Sequence, residues 1–399
     1  MTPFYLEPNH LDESIKKLMP VYTLVFLRAL GLSLSVNGPM MPLYVRSLGV
    51  SVSQWGLLST SFALGLICFE AFWGFMSDRI NRIKILIIAM IFMGTVLPLY
   101  TLESLLSYFF IFQFLIGSFM VMVGPTTRAL IADHSPIKQV GFNMSLWSTC
   151  VSTGSILGPV VGGYLSKNLG YPIVFYASSA ILIASALLMF LTGRNLVISE
   201  KSKKKINIME NIKSIFHDSQ VKFTFIMAVL IYLGVSSVRS FLPIYASELF
   251  SMDEISIGLM MTLGTAMQLI VTPIVGTLSD RYSVKKMLIA LLGLSGTLFI
   301  LIRYAVTPIH ITLITIGLMV SFSSQSVSLI MVSKLASREK LGTTMGLYGS
   351  FEDIGLIVGP LVFGFMWEAY GPQNIYLITS GAAILAIVLL FQTKLELKQ

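Results

Sequence analysis

Apolar runs long enough to cross a bilayer recur twelve times along this chain, and nothing else in the sequence constrains its fold so strongly. A membrane helix needs about 20 mostly apolar residues. Such runs lie at 20–44, 54–77, 84–102, 105–130, 141–166, 171–192, 221–247, 256–278, 286–305, 308–332, 343–367 and 372–392. Only 12% of residues are charged, against roughly 25% in an average soluble domain, so the chain lacks the polar surface a water-soluble fold of this size requires. Inside lipid every backbone N–H and C=O must be satisfied within the segment, which leaves helices or a closed barrel. Runs of this length select helices, and the expected fold is an all-α membrane protein of twelve transmembrane helices.

The net charge of +8 would point to nucleic acid in a soluble protein, but its placement gives another account. Most of the 27 Lys and Arg lie at the termini or in the loops after runs 2, 4, 6, 8 and 10, whereas the opposite loops hold only Arg46, Lys167 and Arg303. In this count Arg128 belongs to the loop after run 4. By the positive-inside rule both termini are cytoplasmic and the protein is multi-pass in the cell membrane. "KSKKK" at 201–205 also suits contact with anionic headgroups. The expected organisation is a cytoplasmic segment 1–19, a six-helix bundle 20–192, a cytoplasmic loop 193–220, a second six-helix bundle 221–392 and a cytoplasmic tail 393–399. The polar residues of 1–19 and the lack of a small-residue cleavage site after run 1 argue against a cleaved signal peptide. Cys68 and Cys150 both fall inside apolar runs and form no disulfide framework.

The two sets of six runs are related. "PLY" from Pro42 answers "PIY" from Pro243, Gly117 answers Gly317, "GFNMSLW" at 141 answers "GTTMGLY" at 342, and "GSILGP" at 154 answers "GLIVGP" at 355. These matches fall at nearly one offset. A duplicated six-helix unit suits alternating access, in which two similar bundles rock around a central site.

Between runs 2 and 3, "GFMSDRINRIK" at 74–84 concentrates charge, and "GTLSDRYSVKK" at 276–286 repeats it. Gly74 would let two helices approach closely, and Asp78 could accept hydrogen bonds from the free N–H groups that open another helix. These residues resemble motif A of the major facilitator superfamily, and the resemblance extends over essentially the whole chain. Gly74, Asp78, Arg79, Arg82 and Lys84 stand in the usual places, with Asn81 where glycine is usual and Ile83 where a base is usual; Gly276, Asp280, Arg281, Lys285 and Lys286 form the second copy. The resemblance implies a conformational latch at the cytoplasmic face, with helix 11 as the partner of Asp78.

"GSILGPVVGG" at 154–163 places Gly154, Gly158, Pro159, Gly162 and Gly163 in run 5. Small residues four apart allow backbone-to-backbone packing, and the proline bends the helix. The stretch resembles the family's antiporter motif C. Its counterpart, Gly355, Gly359 and Pro360, lacks the final glycine pair. Pro39, Pro42 and Tyr44 resemble the end of helix 1 in twelve-helix drug:proton antiporters. Helix 4 departs from that branch, carrying Gln113 where its motif B has an arginine. Arg28 offers a compensating cation, roughly 12 Å along the helix from Pro20.

Acids inside apolar runs are costly and mark proton or substrate paths. The proton-coupling candidates are Glu352 and Asp353 in run 11, Glu70 in run 2, and Arg28. Glu352 shares a helical stripe with Tyr348, Gly355 and Gly359, and Glu70 shares one with Ala63, Gly74 and Ser77. Candidates for lining a substrate cavity are Asn37, Gln113, Trp147, Tyr232, Arg239, Gln268 and Gln325. Trp55 and Trp367 are expected in the interfacial aromatic belt. Arg28 and Arg239 suit an anion, and the acids suit a cation. The implied activity is export of small amphipathic or drug-like compounds by proton antiport, the alternative being a proton symporter or facilitator for a metabolite. Neither H-E-x-x-H nor G-x-S-x-G occurs, which removes the commonest zinc and nucleophile signatures of an enzyme. The four histidines are scattered, so neither a metal nor a cofactor is expected. A non-transporting receptor would not need buried acids in a duplicated bundle. The expected partners are a small-molecule substrate, protons and the lipid bilayer, without nucleic acid, for a monomeric protein.

Overall fold

The computed structural model describes residues 8–77, 81–102, 107–136, 139–193, 196, 215, 219–336 and 341–392. They are helical almost throughout and include no strand. In chain order the helices are α1 (Pro8–Leu34), α2 (Met40–Ser47), α3 (Val52–Ser77), α4 (Arg82–Val96), α5 (Phe109–Met120), α6 (Val123–His134), α7 (Val140–Leu169), α8 (Tyr171–Thr192), α9 (Ser219–Phe250), α10 (Glu254–Arg281), α11 (Val284–Ile302), α12 (Pro308–Ser321), α13 (Ser324–Leu335), α14 (Leu341–Tyr370) and α15 (Pro372–Gln392). Eleven segments among them are long and apolar enough to cross a membrane, α5 with α6 and α12 with α13 each counting as one. The remaining crossing is α7, whose 30 residues reach about 45 Å but whose Ser, Thr and Gly content dilutes its hydropathy.

The duplication is visible in the packing. α1 lies on α7 as α9 lies on α14, and α4 lies on α8 as α11 lies on α15. The same polar clip recurs: Ser179 Oγ donates to the Gly94 carbonyl at 2.6 Å, and Ser380 Oγ to the Gly296 carbonyl at 2.9 Å. A glycine carbonyl can be reached this way because no side chain holds the helices apart.

Runs 4 and 10, read as continuous, are broken at matching positions, Val121–Met122 and Phe322–Ser323. Each break is tightened by an i→i−3 bond, Met122 N to Phe119 O at 3.3 Å and Ser323 N to Val320 O at 3.0 Å. The Thr272 and Ser323 hydroxyls, 3.0 Å apart, brace the second break. Run 1 also breaks, between α1 and α2. A Cβ on Gly38 would fall 1.8 Å from the Ser33 carbonyl oxygen, so only glycine fits, and Pro39 then supplies no N–H to continue the helix. Pro243, the counterpart of Pro42, lies within the unbroken α9.

The chain divides into two compact units, Met1–Met40 with Leu64–Ser202, and Met41–Ala63 with Lys203–Gln399. Thus α2 and the first half of α3 belong to the second unit. Within that unit Arg46 Nε and Nη2 donate to Glu248 Oε1 at 2.9 and 2.5 Å. Glu368 accepts from Ser53 N at 3.1 Å and Ser53 Oγ at 2.8 Å, placing a carboxylate at the start of α3, where helix N–H groups are free. Trp55 and Trp367 are not belt residues. They are 4% and 7% exposed: the Trp55 indole donates to the Ser240 carbonyl at 2.9 Å, and Trp367 packs on Phe241 and Tyr245. Apolar position alone could not distinguish a lipid-facing indole from one covered by α9.

Candidate functional site

In the first unit the glycines of α7 form a seam against α1. Gly154, Gly158, Pro159, Gly162 and Gly163 are all buried. A Cβ would lie 2.5 Å from Phe26 O at Gly154, 2.7 Å from Leu34 N at Gly158, and 2.5 Å from Leu34 O at Gly162. Ser33 Oγ ties the seam by donating to the Gly154 carbonyl at 3.1 Å. In the second unit Gly355 and Gly359 do the same against α9, where a Cβ would lie 2.8 Å from Val229 O and 1.9 Å from Ser236 Oγ respectively. The copy that looked incomplete in sequence still packs closely, because two glycines one turn apart suffice to bring the helix axes together.

Beside the seam lies a polar cluster that the sequence only half disclosed. Tyr22 donates from its hydroxyl to Asn143 Oδ1 at 3.0 Å, and the Trp147 indole donates to Thr127 Oγ1 at 3.0 Å. The guanidinium of Arg128 lies over the Trp147 ring, 4.9 Å from its centroid. Arg128 is therefore not a loop base: it stands in the middle of α6. Position 128 already falls inside run 4, 105–130, so counting it with the loop misassigned it, but its indole partner nineteen positions later carries no local signal. Glu70 on α3 and Arg28 on α1 both lie within electrostatic range of Arg128, and Arg28 Nε is buried without a hydrogen-bond partner. Two other cavity candidates sit elsewhere in this unit. Gln113 is buried on α5, and Asn37, exposed between α1 and α2, donates to the Met120 sulfur at 3.3 Å.

The second unit gathers its own cluster around Glu352. The Tyr232 hydroxyl on α9 hydrogen-bonds the Glu352 carboxylate, with Arg239 and Tyr348 in electrostatic range of Tyr232. Tyr348 precedes Glu352 by one turn of α14, on the stripe read from spacing. Gly355 makes room for this arrangement, since a Cβ there would fall 2.7 Å from the Tyr232 Cβ. Asp353 is also half-buried. Gln325 has a buried Nε2 without a hydrogen-bond partner, and Gln268 is half-buried on α10, its carbonyl accepting from Thr272.

Of the latch residues, Asp78 and Arg79 lie outside the described residues, as do the surroundings of Gly74 and the side chain of Asp280. Arg82 pairs with Asp133, joining α4 to α6. Asn81, standing in place of the motif's glycine, caps α4 by accepting from Ile83 N at 2.9 Å. Arg281 is exposed, and a Cβ at Gly276 would meet nothing within 4 Å, so the second copy's glycine makes no close helix contact among the described residues.

The Major Facilitator Superfamily model matches residues 22–250 and 224–398. The chain belongs to this superfamily. It is 28% identical over 366 residues to "Multidrug resistance protein MdtG" of Escherichia coli O9:H4 (strain HS), with 89% of each chain covered. The MdtG of Escherichia coli strain K12 / DH10B is 27% identical over 365 residues, again covering 89% of each. Among solved structures, a bacterial homologue of the human lysosomal transporter Spinster superposes with a TM-score of 0.79 at 15% identity, covering 97% of both chains. The nucleoside transporter NupG superposes with a TM-score of 0.80 at 14% identity, covering 94% of this chain and 99% of the other. These two likenesses concern the fold. The protein is a multi-pass membrane transporter of small substrates, not an enzyme.

Proposed function

We propose that this transporter exports small amphipathic or drug-like compounds in exchange for protons. It works as a monomer in the cell membrane, with both termini and the 193–220 loop cytoplasmic and with bundles 20–192 and 221–392 as its rocking bodies. Similarity over 89% of each chain to a protein named for multidrug resistance favours this substrate class. The observation that carries the reading is the Glu352 cluster: a carboxyl within a membrane helix, hydrogen-bonded to Tyr232, which itself lies in the field of Arg239. Such a group has two states that its neighbours can distinguish. Ionised, it accepts a strong charge-assisted hydrogen bond from Tyr232; protonated, it accepts only a weaker one. Proton binding thereby changes what α9 and α14 share, which is the differential contact a coupled conformational change requires.

Glu352 has the first claim on coupling, with Asp353, Glu70 and Arg28 as the other candidates. Asn37, Gln113, Trp147, Tyr232, Arg239, Gln268 and Gln325 are assigned to the cavity, and Gly74, Asp78, Arg79, Arg82, Gly276, Asp280 and Arg281 to the latch. The glycine seam of motif C keeps each bundle stiff while it moves. The test is proton flux in sealed vesicles containing the purified protein and a pH-sensitive dye, challenged with a panel of amphipathic compounds. Antiport predicts protons moving opposite to compound. Movement in the same direction would replace antiport with symport.

A further inference from the structure

We propose that Arg128, with Arg28, receives an anionic group on the transported compound, so that the preferred substrate is an amphipathic monoanion bearing a carboxylate, sulfonate or phosphate ester. This rests on the transport reading above and names its substrate class. Among the described residues neither arginine makes a hydrogen bond or an ion pair. Other bases do: Arg82 is taken by Asp133 and Arg46 by Glu248. A guanidinium carries five N–H donors and is never neutral in a protein, and within a membrane bundle such a group normally finds a partner. Here the Arg28 and Arg128 guanidiniums lie in mutual electrostatic range, and the carboxylate within range of Arg128 is Glu70. Asp133, the only other carboxylate in that unit with a described side chain, is occupied by Arg82. Among the described residues the cluster therefore carries two positive charges and one negative.

Its geometry suits an anion. The Trp147 ring is held by its hydrogen bond to Thr127, and the guanidinium carbon of Arg128 lies over it, 4.9 Å from the centroid. That leaves the donor edge of the guanidinium free for a planar, two-pronged acceptor. Gly124, one turn earlier on α6, leaves space beside this edge: the nearest Arg128 nitrogen, Nη2, is 3.6 Å from where a Cβ would stand. Arg28 Nε, buried and unpartnered, supplies a second donor. Glu70 is in range of Arg128 but makes no hydrogen bond among the described residues, so an incoming anion competes with it for the same cation.

The test uses full-length protein in lipid nanodiscs and three probes sharing one skeleton: 4-phenylbutyrate, 4-phenylbutylammonium and 4-phenylbutanol. Binding is measured by calorimetry with protein-free nanodiscs subtracted. Phenylbutyrate is expected to bind tightest. Arg128→Gln should weaken it about tenfold or more, the scale of a hydrogen bond to a charged group, Arg28→Gln should weaken it too, and Arg128→Lys should restore part of the loss. Glu70→Gln should tighten it, because the competitor is gone; a merely structural role for Glu70 would not do so. If Arg128→Gln does not fold, the sign of the Glu70→Gln change decides. The proposal is overturned if the ammonium binds best, if Glu70→Gln weakens phenylbutyrate, if phenylbutyrate ignores both arginine substitutions, or if folded wild-type protein binds none of the three. Anion binding without proton-coupled flux would remove the antiport reading and keep this site. Coupled flux of the ammonium alone would do the reverse.

Discussion

Replacing Gly158 with alanine inserts one methyl group into the seam between α1 and α7, and the structure sets the consequence. The new Cβ would lie 1.8 Å from Ser33 Oγ and 2.7 Å from both Leu34 N and Ser33 C. The hydroxyl can rotate away, at the expense of its bond to the Gly154 carbonyl. The two backbone atoms cannot, and since carbon contacts relax at about 3.5–4.0 Å, α1 must retreat by about 1 Å. Overpacking of this kind costs about 1–3 kcal/mol, and the lost hydrogen bond adds about 1 kcal/mol. Alanine's better helix propensity returns about 1 kcal/mol, leaving a net loss of about 1–3 kcal/mol. Gly293→Ala is the control. No atom lies within 4 Å of its Cβ position, so only the propensity gain remains, roughly 0.5–1 kcal/mol of stabilisation. Thermal unfolding in detergent, followed by tryptophan emission, should move down for Gly158→Ala and up for Gly293→Ala. A Gly158→Ala protein melting at or above wild type would refute the close-packed seam.

Glu352→Gln should abolish pH-gradient-driven accumulation in vesicles while sparing counterflow exchange, which needs no net proton movement; retained uphill transport would shift coupling to Asp353 or Glu70. Glu368→Ala removes both Ser53 bonds at the start of α3 and should cost roughly 1 kcal/mol in the same melting assay, with Glu368→Gln losing less because its amide oxygen still accepts. A cysteine at Ser202 should resist membrane-impermeant thiol reagents applied to intact cells, and efficient labelling would invert the proposed topology.

The helical class, the number of crossings and the duplication were legible because lipid imposes length and apolarity on every segment, and these are properties of a string. The glycine seam was legible for a similar reason: only glycine permits backbone contact, so its spacing marks the contact face. Stripe reasoning also placed Tyr348 and Glu352 together, since residues one helical turn apart share a face. Arg128 was misplaced by counting its charge with the loop after run 4 although it lies within that run, and Trp55 by the assumption that an indole near a run's end faces lipid. The breaks in runs 4 and 10 were invisible, because Val121–Met122 contains neither glycine nor proline and Phe322–Ser323 depends on a hydroxyl contact from α10.

By itself, then, the sequence determined that this chain must be a duplicated bundle of membrane helices with charged groups held inside it. Tertiary structure decided which of those charges meet: Arg128 lies on Trp147 with Glu70 and Arg28 in range, and Tyr232 reaches Glu352 from another helix. The physical reason is range. Hydropathy and helical period act within one segment, whereas a buried charge takes its partner from whichever helix packs against it, and that choice exists only once the helices have packed.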